Sequence, residues 1–176
     1  FRDHILILAA KAAVGALVLW TGFRAVSDDD FARVVLAQLW ATDPKLDATG
    51  TSWLPLPFWV LGGAMKVFGP SLAVARGVAF LLGLVAALII YRAATLVFAP
   101  RSEAFAAALA ASLFPWCARL GVATVPELPT AALGVFATAT VARSDARYRV
   151  AGAVALVVAS WCRYEPWIIG ACFVSL

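Results

Sequence analysis

Asp28, Asp29 and Asp30 stand side by side in the segment SDDDFAR, residues 27–33. Three crowded carboxylates repel one another, which suits such a group to take up a proton or hold a cation. The same residues also fit a helix start: Ser27 followed three positions later by Asp30 has the form of a capping box, and acids in a first turn are favoured by the helix dipole. Each acid contributes about 0.3–1 kcal/mol there, so one or two suffice for capping and three exceed the need. The residues alone leave both roles open. A second group, Arg163-Tyr164-Glu165-Pro166, lies inside an apolar run. Ionisable groups in such runs cost roughly 2.5–3.5 kcal/mol on insertion scales and default to an internal pair or a functional site. A guanidinium there can grip a phosphate by paired hydrogen bonds, or anchor the chain at the interface beside Trp161 and Trp167. Arg163 and Glu165 are two residues apart and would diverge on a helix, but Pro166 can break that helix.

Glu127, between Pro126 and Pro129, sits where a loop meets an apolar stretch, as either a solvated loop acid or a site acid. Arg76 is placed to pair with an acid or a lipid headgroup. Together with Arg163 and Glu165, these are the candidate substrate-binding residues. There is no Ser-His-Asp spacing, no P-loop and no glycine-rich nucleotide turn, which argues against a soluble nucleotide as substrate. His4 is alone near the terminus. Cys117, Cys162 and Cys172 have neither disulfide nor zinc spacing and read as small apolar fillers. The net charge of +4 implies no nucleic-acid partner.

The elements that must position these groups are membrane helices. The chain of 176 residues is 64% hydrophobic and 14% charged, with a mean hydropathy of +0.92, far more apolar than a soluble domain. The expected fold is all-α, a polytopic transmembrane helical bundle with amphipathic juxtamembrane helices at the outer face. Expected spans are 5–26, 71–98, 103–119, 123–142 and 150–176, the last interrupted at Arg163–Pro166, with an outer loop over 27–70. Lys11 is expected to snorkel to the interface. Phe31, Val34, Val35 and Leu39 fall at helical spacing and predict a short helix lying on the membrane. The segment WLPLPFW, residues 53–59, has the Trp and Pro content of an interfacial stretch. With the amino terminus inside, Arg92, Arg101, Arg143, Arg147 and Arg149 fall on the cytoplasmic side and the acids on the other, in keeping with the positive-inside rule. The chain begins with Phe and stops within an apolar run, so it is read as a piece of a longer protein.

The order of these features resembles the amino-terminal half of a GT-C glycosyltransferase, the class that includes protein O-mannosyltransferases and lipid A aminoarabinose transferases. The features are a first span, an outer acidic pair heading an amphipathic helix, a Pro-Leu-Pro-aromatic segment ending in Lys66-Val67-Phe68-Gly69, and a span opening with Ser71-Leu72-Ala73-Val74-Ala75-Arg76. The resemblance implies sugar transfer from a polyprenyl-phosphate donor to a glycan, lipid or protein acceptor. It places the protein in the plasma membrane, as in a bacterial inner membrane, with the site facing outside. The leading aspartate of the outer pair would be the general base, so Asp28-Asp29 or Asp29-Asp30 carries over, the spacing to Phe31 favouring the former. Glu127 resembles an acid placed after the third span, and Arg163 the basic residue near the carrier phosphate, although the Arg-Tyr-Glu-Pro-Trp form departs from the family's Lys-Gly version. A divalent cation held by Asp28 and Asp29 is the cofactor the resemblance allows. The competing reading is a transporter or channel subunit in which the aspartates form an acidic outer vestibule and Arg163 and Glu165 a gating pair; no paired repeat of the kind transporters show is visible.

Overall fold

A computed structural model describes residues 1–141 and 143–175. Among these residues there are nine helices and no strand: α1 (Arg2–Trp20), α2 (Asp28–Thr42), α3 (Leu56–Phe68), α4 (Leu72–Val97), α5 (Arg101–Leu113), α6 (Pro115–Leu120), α7 (Glu127–Val141), α8 (Ala146–Ser160) and α9 (Glu165–Val174). Two of them, α1 and α4, are long and apolar enough to cross a membrane, while α3, α7 and α9 are apolar but shorter.

Local chemistry sets the boundaries. Ser71 caps α4 by accepting from the Val74 N–H at 3.2 Å, and Asp145 caps α8 by accepting from Arg147 N at 2.8 Å. Pro57 sits in the first turn of α3, where its missing N–H is not needed. Gly69, at φ +97°, ends that helix in a conformation an L side chain rarely adopts.

The long helices alternate in direction. At one end, Asp3 accepts from Tyr91 Oη at 2.7 Å and from Arg101 Nε at 2.6 Å. Arg143 reaches the Leu96 carbonyl at 2.8 Å, and Arg92 lies against Tyr148. This end is therefore rich in arginine. The opposite end gathers the start of α2, the 121–126 connection and the α8–α9 turn. Helix α4 touches α1, α3, α5 and α7, and it does so through small residues, including Ala75, Ala79, Gly83, Ala86 and Ala87. At Gly83 the approach is closest, since a Cβ there would lie 2.4 Å from the Gly121 carbonyl oxygen. Small residues of this kind let backbones pack where lipid offers no hydrophobic drive for association.

Several expectations need correction. The first helix stops at Trp20 rather than running to Val26, because the chain turns at Gly22, φ +86°. The stretch expected to span 103–119 is broken at Phe114, where Pro115 cannot supply an N–H, giving α5 and α6. Helix α7 starts at Glu127 rather than 123; Ala142, the expected end of that span, lies outside the described residues, as does Leu176. The last expected span, 150–176, is interrupted near Arg163–Pro166 as expected, but the interruption is a full turn between the antiparallel helices α8 and α9: a Cβ on Gly152 would meet the Phe173 ring at 3.2 Å.

Lys11 does not snorkel. It is 3% exposed, and its Nζ donates to the Ser112 carbonyl at 3.0 Å and the Cys117 carbonyl at 2.8 Å, the backbone on either side of the α5–α6 break. Of the four apolar residues expected to rest on the membrane, Phe31, Val35 and Leu39 of α2 are exposed and Val34 is buried. The buried face of α2 is Asp30, Arg33, Val34 and Ala37, with Val34 and Ala37 packed on Leu61 and Met65 of α3.

Candidate active site

The first functional question is which of the three aspartates is free, and the hydrogen bonds answer it. Asp30, only 4% exposed, uses Oδ2 to accept from Val26 N at 2.7 Å and Ser27 N at 3.3 Å, the second being one half of a capping box. Its Oδ1 accepts from Thr124 N at 2.7 Å. Thr124 Oγ1 lies 2.9 Å from the Asp30 carbonyl and 3.0 Å from Oδ1, sharing its one proton between them. Asp30 thus pins the start of α2 to the 121–126 connection, and no lone pair of its carboxylate is left facing a cavity. Asp28 and Asp29 remain exposed. Of the two, Asp29 lines a pocket of about 180 Å³ together with Arg33, Trp53, Arg163, Tyr164 and Glu165; Asp28 does not.

The α8–α9 turn brings the second group of residues to this pocket. Residues 161–164 are not helical and α9 begins at Glu165, so Arg163 and Glu165, which would diverge on a continuous helix, meet. Arg163 Nε donates to both Glu165 oxygens at 3.0 Å, Nη2 donates to Oε1 at 2.6 Å, and Nη1 pairs with Glu127 at the start of α7. The turn is tied to the outer loop as well. Tyr164 Oη donates to the Ser52 carbonyl, Leu56 N to the Trp161 carbonyl, and the Trp59 and Trp161 rings lie 5.4 Å apart. Arg76 is elsewhere: its Nη2 donates to the Arg24 carbonyl, fixing the connection after α1.

Arg33 was not singled out by its sequence position, yet it is a central residue of the pocket. It is 5% exposed, its guanidinium carbon lies 4.4 Å from the centroid of Trp53, and its Nε is buried without an acceptor. Burial pulls its pKa below the usual guanidinium value, and Arg163 adds to this, while the carboxylates of Glu127, Asp29 and Asp30 oppose it. The available signal was the spacing Asp30, Arg33, Val34, Ala37, a buried helical face that begins with two charged residues.

Beside the pocket, and sharing Arg163 and Glu165 with it, runs an apolar groove of about 840 Å³ between α4, α5, α7 and α9. Ile90, Ala94, Ala108, Gly134 and Ile169 line its length, and Glu127, Arg163 and Glu165 stand at its head. Such a groove suits an alkyl chain with a polar head. Among the described residues no three His, Cys, Asp or Glu side chains come together as a metal set. A divalent cation at Asp28 and Asp29 would take the rest of its shell from water or substrate oxygens.

Comparison with known families then decides the class. The profile of the dolichyl-phosphate-mannose-protein mannosyltransferase family matches residues 51–173, well over half of the chain. The chain belongs to that family. No curated protein and no solved structure gives a significant match. Membership of the mannosyltransferase family indicates a membrane glycosyltransferase of the GT-C kind, and the resemblance drawn from the order of sequence features agrees with it. The matched segment contains Arg76, Glu127, Arg163 and Glu165 and begins after the aspartates and Arg33.

Proposed function

We propose that the protein transfers a sugar from a polyprenyl-phosphate donor to an acceptor hydroxyl at the outer face of a bacterial inner membrane, with Asp29 as general base. The observation that carries this reading is the joining of a polar pocket, holding Asp29, to a long apolar groove through Arg163 and Glu165. The groove accommodates the lipid chain and the pocket the reacting end. The acceptor oxygen attacks the anomeric carbon as the bond from that carbon to the phosphate oxygen breaks; the acceptor proton passes to Asp29 and the carrier leaves as a phosphate monoester. A general base of this kind contributes about 10²- to 10⁴-fold, and a guanidinium near the departing phosphate stabilises the charge that builds there.

The bundle is read as a polytopic amino-terminal part of a GT-C transmembrane domain, residues 1–176. Its arginine-rich end, with Arg92, Arg101 and Arg143, faces the cytoplasm, and α2 lies along the outer surface with Phe31, Val35 and Leu39 toward lipid. The acceptor is a glycan, lipid or protein hydroxyl. Family membership favours transfer over the transport reading.

The test is a transfer assay on the full-length protein with labelled polyprenyl-phosphate sugars. Asp29→Asn should lower turnover at least about 100-fold, and Asp28→Asn should change it by less than about tenfold. Wild-type turnover by Asp29→Asn, or solute flux in place of transfer, would overturn the reading.

A further inference from the structure

Two guanidinium groups share the pocket, and they are in opposite states. Arg163 is already paired: each of its three nitrogens donates to Glu165 or Glu127, leaving one N–H on each Nη. Arg33 is 5% exposed, and its Nε is buried with no acceptor among the described residues. A buried cation without an acceptor is costly, and such a group persists where something outside the chain's own contacts completes it. Its surroundings hold it in place without satisfying it, since the guanidinium lies 4.4 Å from the Trp53 centroid and 5.6 Å from that of Phe58. Stacking fixes the plane of the fork and leaves its edge free for in-plane hydrogen bonds.

The chemistry that such an edge recognises is a tetrahedral or planar oxyanion, taken by paired, charge-assisted bonds. Asp29 lies on the same helix four residues before it and lines the same pocket, yet does not accept from it. A pocket of about 180 Å³ admits a phosphate group but not a polyprenyl chain, and the groove for the chain begins across Arg163 and Glu165. When the glycosidic bond breaks, one unit of negative charge moves onto the phosphate while the acceptor's proton neutralises the base. Arg33 shares the pocket with that base.

We propose that Arg33, not Arg163, holds the donor's phosphate, that Trp53 is the platform orienting its guanidinium, and that Arg163 is a positioning residue for Glu127 and Glu165. This rests on the polyprenyl-phosphate reading above for the identity of the anion, and its test does not require transfer to occur.

The experiment measures binding to the full-length protein in lipid nanodiscs, with a long-chain polyprenyl monophosphate, the matching uncharged polyprenol and inorganic phosphate as probes. Wild type should bind the polyprenyl phosphate more tightly than the polyprenol. Arg33→Gln should weaken the phosphate ligand by roughly 10- to 100-fold and leave the polyprenol unchanged; Arg33→Lys should recover part of the loss. Thermal unfolding of Arg33→Gln should occur at or above the wild-type midpoint, because a buried unpaired charge has been removed, so the loss is not one of folding. Trp53→Ala should weaken the phosphate ligand while leaving the polyprenol alone. The proposal is overturned if Arg33→Gln keeps the wild-type preference for the phosphate, if Arg163→Gln alone abolishes that preference, or if Arg33 changes only the binding of inorganic phosphate. A protein that binds the polyprenyl phosphate through Arg33 but transfers no sugar would overturn the transferase reading and leave this one standing.

Discussion

Neighbouring aspartates should respond to substitution in opposite ways, Asp30 through stability and Asp29 through chemistry. The Asp30 carboxylate accepts from three backbone N–H groups and shares the Thr124 hydroxyl. A hydrogen bond to a charged group is worth about 1.5–3 kcal/mol, and a buried donor left without a partner costs about 1–3 kcal/mol. Val26 is half-buried and Ser27 exposed, so water can replace Asp30 at those two, whereas Thr124 is buried and stays unpaired. Asp30→Ala should therefore destabilise the protein by about 3–5 kcal/mol. Asp30→Asn keeps the shape but turns an amide toward N–H donors, and should cost about 2–3 kcal/mol. Thr124→Val should cost about 1 kcal/mol, and combined with Asp30→Asn should cost less than the sum, since the two share contacts. Asp29→Asn breaks no hydrogen bond of the fold and should stay within about 0.5 kcal/mol of wild type. Reversible unfolding in bicelles gives the stabilities, and a transfer assay on the same preparations gives the activities. If Asp30→Asn unfolds like wild type, or Asp29→Asn loses as much stability as Asp30→Asn, the division of roles between the two residues is wrong.

Lys11→Met should remove both donors from the carbonyls at the α5–α6 break, lowering stability by about 1–3 kcal/mol and loosening residues 113–121. Maleimide labelling reads this directly, with Cys117 becoming more reactive while Cys172, already exposed, keeps its rate. Asp47 gives a pH prediction. The Gly50 and Thr49 N–H groups, at 2.9 and 3.2 Å, hold its carboxyl below the usual 3.8. A depressed folded value means that the carboxylate supports its turn at every pH above about 3.9 and that this support disappears as pH falls through the lowered value. Pepsin should therefore cut the 43–53 loop progressively faster as pH drops below about 4, and Asp47→Asn should flatten that dependence.

Composition and apolar run length were enough to read an all-helical chain with a long helix over 72–97, because burial of a membrane helix is set by average hydropathy. The capping role of Ser27 and Asp30 was also legible, since capping is local. What escaped the sequence was everything decided by the third dimension. The apolar residues of α2 suggested a helix resting on Phe31, Val34, Val35 and Leu39, but the packed face includes Asp30 and Arg33 because their polar atoms meet Thr124 and Trp53, about 90 and 20 residues away in the chain. Apolar runs hide breaks for the same reason. Pro115 interrupts a stretch whose hydropathy alone reads as continuous, and the Ser112 and Cys117 carbonyls beside that break accept from a lysine that hydropathy places at a membrane edge.

That lysine bears on how the protein is made. Its acceptors lie 101 and 106 residues further along, so an α1 that crosses the membrane would enter it before the partners of its lysine have been synthesised. Such a helix would wait, close to the insertion machinery or with water drawn to its midpoint, until the later pair of helices arrives to claim it. A generic hydrophobic anchor spliced in its place would still deliver the chain to the membrane, but it would leave that later pair with nothing to close upon.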